Sequence, residues 1–396
     1  MPLVFIFIAS GLLVYAYLLY PLLIAALAKI YSRPSRIDEH YQPMVSVILA
    51  AYNEERNISV CLDSLLAQKY PAGQMEILVG SDGSLDRTNE ILRQYSAVHS
   101  SVKIFLFEDR RGKMQVLNDL IAKANGEILF FTDADMTLSP DAIAKHARHY
   151  GSESTGGVAG IYTIVSTADS STFGSESDYH KYEMWLRKNE ALIHSTVGLS
   201  GGNYSIRKEL WQKMPSDFVH DDLFSVFSLL ESGKRLLYEP GAISSENFTR
   251  SAKEEFSRKA RFASRGFATI HYFPKLLSPQ AGFASVMIWS HKILRWISPF
   301  LFLIIFCATA LGIGGDHSSF FRSLFLAEIS FVGIALLGWI FDSFGISIPL
   351  IRHIFWFTAM NLAFMIGTLR FLFKRDEKHW TAKKMTSVDK KGAVLV

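Results

Sequence analysis

From Pro2 to Ala28 no charged residue interrupts the chain, whereas from Val45 onward short apolar runs alternate with segments of helical periodicity. The first pattern is long enough for one bilayer crossing, since about twenty apolar residues suffice. The second predicts strands alternating with helices, the β-α-β-α arrangement of a parallel sheet covered on both faces. Strands are expected at VSVILAA, MEILVGS, VKIFLF and EILFFT. Helices are expected at EERNISVCLDSLLAQ, SLDRTNEILRQYS and GKMQVLNDLIAKANG, the last closed by Gly126 as a glycine cap.

Apolar character returns near Phe283. SHKILRWISPF mixes Lys292, Arg295 and Trp296 with apolar residues, as an interfacial helix would. Crossing candidates follow at ISPFLFLIIFCATALGIG, Leu324 to Phe341 and Ile348 to Phe373. The basic residues Lys29, Arg33 and Arg36 follow the first apolar run, which argues against a cleaved signal peptide and places the middle of the chain in the cytoplasm. Three crossings after that middle would put the tail, KRDEKHWTAKKM, outside, yet its Lys and Arg content favours the inside. One candidate is therefore expected to be re-entrant or interfacial. The expected organisation is a transmembrane helix over 1–31, an α/β domain over 44–275, an interfacial helix with transmembrane helices over 276–373, and a basic tail over 374–396.

Composition agrees with a membrane protein that has a polar middle: 49% of the 396 residues are hydrophobic. The formal charge of +4 is mild and gives no reason to expect nucleic acid. Two cysteines, Cys61 and Cys307, provide neither a disulfide framework nor a thiolate metal site.

Ligands of parallel sheets gather where the strands end. Here those ends carry YNEE, SDGS and TDAD. Asp133 and Asp135, one residue apart after a buried strand, suit a hard cation such as Mg²⁺ or Mn²⁺, though a loop leading to a helix capped by Ser139 would also explain them. Asp82 can accept hydrogen bonds from a nucleotide base, and Asp86 fits a helix cap. Asn53 and Glu55 lie where a base or ribose would sit, or simply form a solvated helix start. Lys113 at a helix start suits a phosphate, or solvent. Farther on, Asp221 and Asp222 follow His220 before an apolar helix; one caps the helix, while adjacent acids raise each other's pKa and can supply a general base. Arg258, Arg261 and Arg265 share a helical face fit for a diphosphate or for anionic lipid.

Two other kinds of chemistry fit parts of the chain. GLSGG, from Gly198 to Gly202, fits a hydrolase nucleophile elbow at Ser200, with Asp222 and His271 downstream. The elbow needs a helix next, whereas NYSIR favours a strand. Glu328, Arg352 and His353 could line a transport path, but so few membrane segments make a poor transporter.

The ordered set AAYNEE, SDGS, GK…LN, TDAD, GGN, HDD and R..RF resembles family 2 glycosyltransferases over about residues 44 to 275. The resemblance implies a GT-A fold, a nucleotide-sugar donor (UDP-sugar by expectation), a divalent metal, inversion at the anomeric carbon, and a glycan or lipid-linked acceptor. It places Asp82 at the base, Asp133 and Asp135 at the diphosphate and metal, and Asp222 as the catalytic base. Asn53, Glu55, Lys113, Arg258 and Arg261 would contact the nucleotide-sugar; Gly201, Gly202, Asp221 and Phe262 would line the acceptor side. The chain looks like membrane-bound relatives that make cell-surface polysaccharide, anchored in the cell (inner) membrane with the catalytic domain in the cytoplasm; transfer of one sugar to polyprenyl phosphate is the alternative. Processive relatives carry Gln-x-x-Arg-Trp, whereas Arg258 and Phe262 stand at those positions here, so the resemblance does not bring processive addition with it. Asp221 stands where Glu is usual, which keeps the charge.

Overall fold

The computed structural model describes residues 1–164, 173–199, 201–215, 221–246, 252–315, 317–346 and 348–373. Ser200, His220 and the basic tail lie outside the described residues. An amino-terminal helix, α1 (Pro2–Ile30), precedes a domain whose first half alternates as its sequence predicts. It comprises β1 (Val45–Ala51), α2 (Ile58–Leu66), β2 (Met75–Asp82), α3 (Thr88–Val98), β3 (Val102–Phe107), α4 (Lys113–Lys123) and β4 (Ile128–Asp133). The second half adds β5 (Met136–Leu138), α5 (Ala142–Ala147), β6 (Thr155–Ile164), α6 (Phe173–Ile193), β7 (Tyr204–Arg207), α7 (Asp221–Glu231), β8 (Arg235–Glu246) and α8 (Ala252–Tyr272).

The strands form one sheet in the order β3-β2-β1-β4-β7-β6-β8-β5. β1 pairs in parallel with β2 and β4, while β7 runs antiparallel to β4 and β6. β1 is buried throughout because both faces are covered. Its Val45, Val47, Leu49 and Ala51 pack into one core with α2, and its Ile48 and Ala50 into the other with α4 and α7, the two-residue period of a strand made visible.

Gly126 differs from expectation. α4 stops at Lys123, because Ala124 turns extended (φ −68°, ψ 139°), and Gly126 is no cap. A Cβ there would stand 2.4 Å from the Ser46 backbone nitrogen, so glycine lets the chain enter β4 hard against β1.

Three further helices, α9 (Phe283–Gly312), α10 (Ser318–Ser343) and α11 (Pro349–Leu372), join α1 as the four helices long and apolar enough to cross a membrane among the described residues. α10 leaves Leu326, Leu336 and Trp339 exposed, as a lipid-facing helix does. The expected interfacial segment needs correction. SHKILRWISPF is not a separate surface helix but the interior of α9, and His291, Lys292, Arg295 and Trp296 are buried. The physical reason is partnership: Glu183 and Glu190 of α6 meet the charged residues from the domain side. α9, α10 and α11 are each one continuous helix.

Candidate active site

The carboxyl ends of β1, β2 and β4 stand side by side, and the loops beyond them are laced together. Asn53 adopts a left-handed backbone (φ 55°), which asparagine tolerates. Its N–H donates to Ser84 Oγ at 3.1 Å, and its Oδ1 accepts the Leu85 N–H at 2.9 Å. The Glu55 carboxylate accepts the Arg87 N–H at 3.1 Å, while its own N–H donates to Asp86 at 3.1 Å. Asp86 also accepts the N–H of Thr88, the first residue of α3. Asn53 and Glu55 therefore tie two loops at the rim.

Asp82 is fully buried. One carboxylate oxygen accepts the Arg111 N–H at 2.6 Å and the other the Gly112 N–H at 2.9 Å. Its first effect is on the segment entering α4, where Gly112 has φ 90°. The Arg110 guanidinium of the same segment lies 4.0 Å from the Tyr52 ring centroid, a pairing the sequence reading missed.

Held by that segment, Lys113 starts α4 and points inward. Its ammonium donates to Asp133 Oδ1 at 2.8 Å and lies 2.8 Å from Asp221 Oδ2. Burial pulls the ammonium pKa down, but the two carboxylates outweigh it and hold it well above the ordinary lysine value. Asp221 titrates high: burial raises its carboxyl, Lys113 opposes, and Asp222 and Asp133 add like-charge repulsion. The structure shows Lys113 as a bridge between β4 and α7.

Asp222 Oδ1 accepts the Leu223 N–H at 2.8 Å. A methyl group added at Gly201 would stand 3.6 Å from Asp222 Oδ2 and 3.8 Å from Asp133 Oδ2, so both carboxylates border the same small space. Gly202 lies tight against Met136, where a Cβ would come 2.5 Å from Cγ. No group of three or more His, Cys, Asp or Glu side chains converges on a metal position among the described residues. Two carboxylates, Asp133 and Asp135, fit Mg²⁺ or Mn²⁺ completed by phosphate and water, and do not fit a closed zinc site.

Residues 46–211 match the model of the Glycosyl transferase family 2. The chain carries a family 2 glycosyltransferase domain. Glycosyltransferase AglE of Haloferax volcanii is 40% identical over 93 residues, 24% of this chain and 31% of that protein. A beta-monoglucosyldiacylglycerol synthase of Nostoc is 24% identical over 52% of this chain and 46% of that protein. An N-acetylglucosaminyltransferase of Rhizobium meliloti is 25% identical over 68% of this chain and 69% of that protein. The chain thus spans less than half the length of the first two. Mannosyltransferase PcManGT from Pyrobaculum calidifontis, solved with GDP-Man and Mn²⁺, superposes with a TM-score of 0.72 over 94% of this chain and 100% of its own, at 22% identity. That likeness establishes the GT-A fold.

The remaining expected residues of the glycosyltransferase domain lie on α8. Arg258 forms a two-pronged pair with Glu255 at 2.7 and 2.6 Å, and Arg261 is exposed. Phe262 packs edge-on against Trp296 of α9, with centroids 5.9 Å apart. The hydrolase reading loses its geometry: β7 begins at Tyr204, two residues after Gly202, where an elbow would need a helix. Sequence reasoning also missed Arg187, Glu183 and Glu190. The signal was present in the charges inside α9, since ionisable residues in an apolar stretch require partners.

Proposed function

We propose that this chain is a membrane-bound inverting glycosyltransferase that moves a sugar from a nucleotide-sugar, a UDP-sugar in the first instance, to a glycan or lipid-linked acceptor in cell-surface polysaccharide or glycolipid synthesis. The observation that carries the reading is the space bordered by Asp133 Oδ2 and Asp222 Oδ2 above Gly201. It brings a donor-side carboxylate and a base together at the end of a parallel sheet.

In the proposed reaction the acceptor hydroxyl attacks the anomeric carbon. Asp222 takes its proton as the bond from that carbon to the diphosphate oxygen breaks, and the electron pair leaves with the diphosphate. Bonding of Oδ1 to the Leu223 N–H orients Asp222 so that Oδ2 faces Gly201. Lys113 sets the distance between β4 and α7, while Asp82 fixes the segment that delivers Lys113. The Tyr52–Arg110 pair and Asp82 border the place of the base. A divalent cation at Asp133 and Asp135, when bound, would offset the charge gathering on the leaving diphosphate. Arg258 and Arg261 would add positive charge from α8, with Phe262 toward the acceptor. α1 and α9 to α11 would anchor the domain at the cytoplasmic face of the cell (inner) membrane.

The test is nucleoside diphosphate release by the full chain with Mg²⁺ or Mn²⁺ and a panel of UDP- and GDP-sugars, with and without lipid extract. Metal-dependent release stimulated by lipid extract supports the reading. No release from any donor overturns it.

A further inference from the structure

Two buried hydroxyls beside the Lys113 ion pairs have no role in the transfer as described. Tyr204, the first residue of β7, is fully buried. Its ring lies flat on that of Phe131, its partner across the β4–β7 ladder, with centroids 4.6 Å apart, and both rings belong to the core that the sheet shares with α4 and α7. The Tyr204 hydroxyl makes no hydrogen bond among the described residues. Burial holds the phenol well above its ordinary pKa; of the charges that reach it, the Asp221 carboxylate acts most strongly and the Lys113 ammonium opposes it. Ser225, one helical turn beyond Asp221 on α7, supplies the second hydroxyl. It is buried, approaches the phenol without the geometry of a hydrogen bond, and has no other partner among the described residues.

A polar group withdrawn from water and left unpaired is costly, so two of them beside a carboxylate of the site call for a reason. The nearby acceptor is Asp221, and its cation is not its own: Lys113 is shared with Asp133. In the proposed reaction Asp133 turns to a divalent cation, and the donor brings a diphosphate that competes with Asp221 for the ammonium. As Lys113 turns to the diphosphate, the tie between β4 and α7 opens at the very turn of α7 that carries Asp222. Tyr204 stands on β7, beside β4 in the sheet, with an O–H still to be donated.

We propose that Tyr204 is a positioning residue: its hydroxyl, together with that of Ser225, binds Asp221 when Lys113 engages the diphosphate, and keeps the first turn of α7 fixed to the sheet while Asp222 acts. The engagement of Lys113 by the donor rests on the proposed glycosyltransferase reading; the exchange of partners at Asp221 does not.

The first test is a double-mutant cycle on the full chain, read as unfolding temperature. Tyr204→Phe keeps the ring on Phe131 and removes only the hydroxyl. Alone it should unfold no lower than wild type, because the group removed is unpaired. In Lys113→Met, where Asp221 has lost its ammonium, the hydroxyl should be bonded to Asp221, and adding Tyr204→Phe should lower the unfolding temperature by at least about 2 °C. Equal effects in the two backgrounds overturn the proposal, and so does a lower unfolding temperature for Tyr204→Phe alone, which makes the hydroxyl an ordinary structural partner. The second test is binding of UDP or GDP with Mg²⁺, which needs only the single variant and stands even where Lys113→Met does not fold. Tyr204→Phe should weaken the binding by about tenfold, the scale of one hydrogen bond to a charged group. Equal binding by wild type and variant overturns this proposal alone. No binding by wild type overturns the transferase reading and this proposal with it.

Discussion

Asp133, at the end of β4, and Asp221, at the start of α7, share one ammonium, that of Lys113, at 2.8 Å from each. The ion pairs join the parallel half of the sheet to the helix carrying Asp222. Lys113→Met leaves two partly buried carboxylates facing each other without a cation. Its stability should fall by at most about 3–5 kcal/mol, the range for breaking a fully buried pair, and by less to the extent that solvent reaching Asp133 screens the charge. Mg²⁺ should raise the unfolding temperature of the variant more than that of wild type, because the ion supplies the missing charge. Equal Mg²⁺ responses would count against cation binding at Asp133.

Gly201 and Gly202 separate space from packing. In Gly201→Ala the new methyl makes ordinary contacts of 3.6 and 3.8 Å with the two carboxylates, so folding should be unchanged while turnover falls as the shared space fills. Gly202→Ala drives a methyl to 2.5 Å from Met136 Cγ and should cost about 1–3 kcal/mol of stability through overpacking. Thermal unfolding and donor turnover, measured on both variants, check the contrast.

Asp135→Ala should weaken Mn²⁺ binding in the presence of UDP by at least about tenfold, the scale already found for outer-shell partners of metal sites. Titration of free Mn²⁺ by electron paramagnetic resonance reads this without turnover. Unchanged affinity would move the metal away from Asp135.

Acid sensitivity should follow Glu76, which lies outside the site. Burial pushes its carboxyl up, but Lys103, Ser46 and Asn125 outweigh this and lower it from 4.5 to about 2. A depressed folded-state pKa gives stability that is present above about pH 4.5 and lost as pH falls toward 2. Glu76→Gln should therefore flatten the loss of unfolding temperature between about pH 5 and pH 3 relative to wild type. A wild-type slope in that variant would assign the acid lability elsewhere.

The buried strands were legible because a parallel strand writes its burial directly into sequence, as VSVILAA does for β1. The motif residues at the strand ends were legible as a set, but their partners were not. Asp82 reads as a ligand in sequence; in the fold both its oxygens hold backbone N–H groups of the segment that follows β3. Lys113 reads as a surface lysine until α7 brings Asp221 to it from far along the chain. SHKILRWISPF reads as interfacial because its charges have no local partner, and Glu183 and Glu190 are supplied only by tertiary packing. Pattern reports local exposure; pairing across the fold decides what a buried charge does.

Asp222→Asn tests the central claim most directly, through donor binding and turnover measured on one preparation. The substituted amide retains the shape and the Leu223 contact but accepts no proton, so turnover should drop by about 10²- to 10⁴-fold, the usual contribution of a general base, with UDP-sugar affinity nearly unchanged. Near wild-type turnover in that variant would contradict the assignment of Asp222 and leave transfer to an already anionic phosphate acceptor as the better account.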